Sequence, residues 1–324
     1  MKTYKISIVI TLLAVMTMMY SCGNGQKTGT KTGEKLEGTI SISGAFALYP
    51  MTVKWAEEFK KLHPDVRIDI SAGGAGKGMA DALAGMIDLG MFSRGVTQIE
   101  IEQGAWYIAV TKDAVVPTMN ANNPLAAMVK ACGISNQTFT DIYVNQTITN
   151  WNQIPGLQAT DQKLIVYNRS DACGAAEMWG KFLGKNQEGL NGIGVFGDPG
   201  IADAVKNDPN GIGFNNVIYA YDITSRKVFN GLDIIPIDLN SDNIISPDEN
   251  FYGSLDEIMN AIATGKYPAP PARDLYFIAK GKPTNPVVNE FLRWILNEGQ
   301  QYVGMAGYVT LSADKIASEL DKLK

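Results

Sequence analysis

Histidine is almost absent, with His63 the single one in a chain of 324 residues. A single histidine, placed as this one is, argues against histidine-based catalysis and against a multi-histidine metal centre. His63 lies in KKLHPDV at the end of an amphipathic helical stretch, the setting of a solvated surface side chain. Cysteine is scarce too: Cys22, Cys132 and Cys173 are too few for a disulfide framework. Nothing in the sequence brings Cys132 and Cys173 within bridging distance, so two separate small buried side chains are expected. Excess positive charge is also missing, since 28 Lys and Arg against 33 Asp and Glu leave a net charge of -5. That balance argues against a nucleic-acid partner, which calls for a basic face. Any anion this chain binds has to be captured by local geometry.

What is present is enough apolar material, 45% of the residues, to bury a large core divided between two lobes. At the N-terminus Lys2 and Lys5 precede the apolar run Ile6 to Met19, followed by Tyr20-Ser21-Cys22-Gly23, which is the layout of a targeting segment. The run falls short of the ~20 residues a membrane span needs. The segment resembles a bacterial lipoprotein signal, in which Cys22 would become the lipidated first residue of the mature chain. Residues 23–37, GNGQKTGTKTGEKLE, have no apolar period and read as a flexible tether.

From residue 38 short apolar strands alternate with helices, the signature of an α/β fold with a mainly parallel sheet. TISIS, RIDIS and DLGMF read as strands; TVKWAEEFKKL after Pro50 and MADALAGM read as the helices between them. Past WYIAVTK the chain is expected to cross into a second lobe. That lobe is built from AVVPTMN, the helix in FTDIYVN, the strand KLIVYN, the helix AAEMWGKFL, GIADAVKND and GIGFNNVIYAYD. DLYFIAK and the helix VVNEFLRWILNEGQQYVG would then return to the first lobe.

Three strand-to-helix turns share one design: Ser43 to Ala47, Gly73 to Gly78, and Arg169 to Ala175. Each carries glycine and delivers backbone N–H groups at a helix N-terminus, where an anion is favoured. Ligands of α/β sheets gather at the carboxyl ends of strands, so three such turns, with Arg94 and Arg169 at neighbouring strand ends, could converge on one anion. The second turn is not a nucleotide P-loop, because Gly78 follows Gly76-Lys77 where Ser or Thr is required. Cys173 is a poor nucleophile, having no histidine as its base.

In order, SGAFALYPMTVKWAEEF, ISAGGAGKGMADALAGMIDLGMFSR, FTDIYVNQTITNWNQI, NRSDACGAAEMW and DAVKNDPNGIGF resemble the periplasmic phosphate-binding protein family, the solute-binding component of phosphate ABC transporters. The resemblance implies a two-lobed, type II periplasmic-binding-protein fold with mainly parallel sheets and a hinge. It sets lobe 1 at 38–112, lobe 2 at 113–271 and a return to lobe 1 at 272–324. It further implies a monomer with no catalysis, held in the periplasm of a Gram-negative-type bacterium through the Cys22 lipid alone, and an ABC permease as partner. The family's first anion loop falls on Ala45, Phe46 and Ala47, and its second on Ala75 and Gly76. Ser93 and Arg94 match a Ser-Arg pair, Arg169 the ligand arginine and Asp171 the acid that orients it. Cys173, Gly174 and Ala175 stand where the family has Ser-Gly-Thr. Most side-chain hydroxyls are therefore missing, and each lost bond to a charged ligand would cost roughly 1.5–3 kcal/mol. Phosphate or a related oxyanion for an importer is the leading expectation; an organic phosphate or phosphonate bound by a sensing or interaction lipoprotein is the alternative.

A second candidate site is DLNSDNIISPDE, residues 238–249. Asp238, Asn240, Asp242 and Glu249 occupy positions 1, 3, 5 and 12 of an EF-hand-type calcium loop, and Ile245 the apolar position 8. Asn243 replaces the usual glycine at position 6; asparagine tolerates the left-handed conformation better than other non-glycine residues. Ile244 would lend its carbonyl, Ser246 a further contact, and a structural Ca2+ is the expectation, with an acidic surface turn as its rival.

Overall fold

A computed structural model describes residues 36–159 and 161–324; the targeting segment, Cys22 and most of the tether lie outside the described residues. Eleven strands occur among the described residues: β1 (Gly38–Gly44), β2 (Val66–Ala72), β3 (Leu89–Phe92), β4 (Ala105–Asn120), β5 (Ile134–Ser135), β6 (Ile165–Arg169), β7 (Ile193–Val195), β8 (Gly211–Asn216), β9 (Leu232–Ile234), β10 (Ile237–Asp238) and β11 (Ala272–Lys280). The main sheet runs β2-β1-β3-β11-β4-β8-β6-β7, with β9 also on β4. Its two ends are parallel, β1 with β2 and β3, and β6 with β7 and β8. The middle is antiparallel, where β11 joins β3 to β4 and β4 joins β8.

The helices form where the apolar spacing dictates. In Tyr49–Leu62, Met51, Trp55 and Phe59 are buried at four-residue intervals, Pro50 occupies the first turn where its missing N–H costs nothing, and Lys60 and Lys61 close the negative end of the dipole. His63 ends this helix with its ring 4.5 Å from that of Phe59. In Gly174–Phe182, Trp179 reaches an aromatic cluster with Phe139, Tyr143 and Phe214.

Two apolar cores result. One gathers Ile40, Trp55, Phe59, Phe277 and Phe291 and takes β4 as far as Val110. The other begins on β4 at Ala114 and holds Phe139, Trp179 and Phe214. WYIAVTK and AVVPTMN, two segments by their sequence, are thus one 16-residue strand shared by both lobes. β11 crosses beside it, and Asp113 and Arg273 pair in register at the changeover. The fold is a two-lobed α/β binding-protein fold of type II, with the lobes joined through continuous strands.

Candidate functional site

The turn after β1 is held so that its carbonyls point into protein. Tyr219 Oη donates to Phe46 O at 3.1 Å and Tyr308 Oη to Ala47 O at 2.8 Å. Ala45 N–H donates to Met91 O, whereas the N–H groups of Phe46 and Ala47 make no hydrogen bond among the described residues. The methyl groups of Ala45, Ala47 and Ala75 belong to the first core and that of Ala175 to the second, so these residues offer an anion only backbone donors.

The second turn belongs to the lobe contact. Gly76 N–H donates to Ala172 O at 3.0 Å, and a β-carbon at Gly76 would stand 2.8 Å from that of Ala172. Gly74, at φ +90°, brings its α-carbon so near Asp171 Oδ2 that a side chain there would lie 2.9 Å from it. Ser93 is buried at the end of β3 with Gly174 directly against it. At the start of Gly174–Phe182, Cys173 caps the helix, its Sγ accepting from Ala176 N–H at 3.4 Å. The first two N–H groups of that helix, on Gly174 and Ala175, have no intrahelical acceptor. Burial, partly offset by the Arg169 charge, pushes the Cys173 thiol up to about 12, so no thiolate forms at neutral pH. Cys132 and Cys173 are both free thiols.

Arg169 ends β6 with its side chain 1% exposed. Its Nε donates to Asp171 Oδ1 at 2.8 Å and its Nη2 to Asp171 Oδ2 at 2.6 Å. Its Nη1 donates to Asp198 Oδ2 at 2.5 Å. Three of five N–H groups are so engaged, one on each nitrogen, and two remain. Burial opposes the guanidinium charge, but the Asp198 charge and the Asp171 hydrogen bonds outweigh it and hold Arg169 cationic. Burial likewise pushes the Asp171 carboxyl up, and the Arg169 hydrogen bond and charge with Gly197 N–H bring it below the usual range. The Phe46 ring reaches over from the first lobe, 5.6 Å from the guanidinium and edge-on to Phe196 at 5.8 Å.

The structure therefore brings Phe46 over Arg169, Gly174 against Ser93, and Gly74 and Gly76 against Asp171 and Ala172 at the lobe contact. Arg94 is engaged by its own segment. Its fork grips Glu100, Nη2 to Oε1 at 2.6 Å and Nη1 to Oε2 at 3.1 Å, and it stacks on Phe92. The signal for this was Thr97-x-x-Glu100, a capping box whose glutamate also accepts Thr97 N–H. Residues that sequence reasoning missed are Asp198, Tyr219, Tyr308 and the Asp113–Arg273 pair. Arg273 Nε donates to Asp113 Oδ1 at 2.9 Å and Nη1 to Gly174 O at 2.6 Å, with Nη2 on Asn216 Oδ1. Asn216 N–H in turn donates to Asp198 Oδ1 at 2.9 Å, which joins the site to the strand changeover.

In the 238–249 loop Asn243 does adopt the left-handed conformation, at φ +61°. Asp238 accepts the N–H groups of Ser241 and Asn243, Asp242 that of Ile244, and Glu249 those of Leu239 and Ser246. Asn240 Nδ2 donates to Asp242. Among the described residues no group of three or more His, Cys, Asp or Glu side chains converges as a metal cluster.

A buried arginine at the contact of two lobes joined by continuous strands is the arrangement of a two-lobed, type II binding-protein fold. The chain belongs to the PBP superfamily domain family, whose model matches residues 29–299. It is similar to the phosphate-binding protein PstS of Bacillus subtilis, 26% identical over 330 residues and 98% of each chain. The PstS of Pseudomonas aeruginosa is 27% identical over 311 residues, covering 89% of this chain and 87% of its own. Among solved structures, a putative phosphate ABC transporter substrate-binding protein with bound phosphate from Clostridium perfringens superposes with TM-score 0.69 at 22% identity, over 85% of this chain and all of that one. No helix among the described residues is long and apolar enough to cross a membrane.

Proposed function

We propose that this protein is a lipid-anchored solute-binding protein that captures phosphate or a related tetrahedral oxyanion between its lobes and delivers it to an ABC importer. The observation that carries the reading is Arg169, a buried guanidinium under the Phe46 ring of the other lobe with two N–H groups not taken by Asp171 or Asp198. The names of the curated relatives support phosphate as the ligand class, and the absence of any activated nucleophile or base at the site supports binding without catalysis. Charge-assisted bonds from a guanidinium and backbone N–H groups are the stronger kind, so the missing hydroxyls weaken the site without abolishing it. An organic phosphate is less favoured, because Phe46 packs on Arg169, Phe196 and Gly197 rather than lining open space. Calorimetry of protein starting at residue 24 with inorganic phosphate tests the reading. Saturable one-site binding is expected; no heat and no rise in melting temperature at millimolar phosphate would overturn it.

We further propose that the 238–249 loop takes Ca2+ as a structural ion. Asn243 at position 6 and Glu249 folded back over the loop support this.

A further inference from the structure

Arg169 faces more negative charge than it carries. Asp171 and Asp198 both bond its guanidinium, so the trio has one net negative charge, and the three side chains are 1%, 7% and 1% exposed respectively. In the neighbouring Asp113–Arg273 ion pair one carboxylate faces one guanidinium, whose remaining donors go to the neutral acceptors Gly174 O and Asn216 Oδ1. Asp171 is the expected orienting partner, held on the side-on fork by two hydrogen bonds. Asp198 does something different. It comes from a separate segment, the helix Gly197–Asn207, and takes the Nη1 donor. Asn216 N–H on Asp198 Oδ1 and Asn215 Nδ2 on its carbonyl fix it there. An anion arriving at Arg169 therefore meets a resident carboxylate on the same guanidinium, at a depth where solvent screens little.

We infer that Asp198 is a specificity-determining residue, a built-in counter-ion that lowers the affinity of the site for anions and penalises dianions more than monoanions. Its field is felt elsewhere in the site: the Tyr219 hydroxyl, which fixes the Phe46 carbonyl, is held protonated by burial and by the Asp198 charge. Coulomb energy is linear in the ligand's charge, so removing one fixed charge changes the binding free energy of a dianion by twice as much as that of a monoanion at the same position. The fold-change for the dianion is then the square of the fold-change for the monoanion. This inference rests on the oxyanion-binding reading of the site.

The test compares the parent with Asp198→Asn, which keeps the acceptor for Asn216 N–H, and with Asp198→Ser, a second variant for the case in which the amide disturbs Arg169. Binding of inorganic phosphate, mainly a dianion at pH 8, and of dimethyl phosphate, a monoanion, is measured by calorimetry, with a thermal melt to show each protein folded. Phosphate is expected to bind at least about tenfold tighter to a folded variant, with a gain for dimethyl phosphate near the square root of that factor. Equal or weaker phosphate binding in the folded variants, with binding intact in the parent, overturns the role of Asp198 and leaves the oxyanion reading standing. Equal gains for the two ligands overturn the charge assignment in favour of simple obstruction. Binding of neither ligand by parent or variants overturns the oxyanion reading, and the role of Asp198 with it.

Discussion

Gly174 rests on Ser93 across the lobe contact, so closely that a β-carbon at Gly174 would run into the carbonyl and hydroxyl oxygens of Ser93. Gly174 has no positive φ, and alanine suits the first turn of a helix better than glycine does. The cost of Gly174→Ala therefore falls on the approach of the lobes and not on the helix. Phosphate binding should weaken by about tenfold or more, roughly the 1.4 kcal/mol of a modest overpacking strain, while the unliganded protein melts close to the parent. Calorimetry and a thermal melt check this; unchanged affinity would show that the contact is not made in the bound state.

The parts of this arrangement that were legible in the sequence are the local ones. Strand, glycine turn and helix from Ile165 to Phe182 follow one another within a few residues, and their order reads directly, although Cys173 as the helix cap does not. Asp198 lies 29 residues beyond Arg169, at the start of another helix, and no local pattern marks it as the arginine's second partner. Asp113 and Arg273, 160 residues apart, meet only because β4 and β11 pair in that register. The alanines of the anion loops illustrate the same limit. The family resemblance put them in anion loops, and only the packing shows their methyl groups in the cores.

Arg169 has become a structural residue as well as a candidate ligand residue, which changes how its removal reads. Arg169→Ala should abolish phosphate binding but also leave two buried carboxylates without a counter-ion, at a cost of ~3–5 kcal/mol. Arg169→Lys retains the charge and loses the planar fork, so it should fold and bind phosphate far more weakly than the parent. Denaturant melts alongside calorimetry separate the two effects. Parent-like affinity in Arg169→Lys would place the anion elsewhere.

The two thiols should differ in chemistry. Cys173 is 6% exposed with its thiol pushed up to about 12 by burial, whereas Cys132 is partly exposed. Iodoacetamide at pH 8 should therefore alkylate folded protein starting at residue 24 once, at Cys132, and reach Cys173 only on unfolding. Peptide mass spectrometry reads the sites. Cys173→Ser would put a stronger acceptor at the helix cap and a stronger donor beside Arg169. Tighter phosphate binding by roughly 1.5–3 kcal/mol is expected if that hydroxyl reaches the ligand; no change would mean that it serves the cap alone.

The loop from Asp238 to Glu249 is folded around its own carboxylates. Asp238 sits buried at its start, Asn243 supplies the left-handed turn and Glu249 spans back to Leu239 and Ser246. Backbone N–H groups now satisfy these carboxylates, and for Glu249 they join the Ser246 hydroxyl in holding the carboxyl below its usual range despite the opposing effect of burial. A bound Ca2+ would take the free lone pairs of Asp238, Asp242 and Glu249, with Asn240 and the Ile244 carbonyl completing an oxygen shell. Calcium should then raise the melting temperature, EDTA should lower it, and Glu249→Gln should remove most of the difference. Magnesium should act less strongly, because it demands a smaller and more regular shell and gives up water reluctantly. Differential scanning fluorimetry on metal-stripped protein reads all three. A melting curve indifferent to calcium would mean that the N–H groups are the permanent partners of these carboxylates and that the loop is an acidic surface turn.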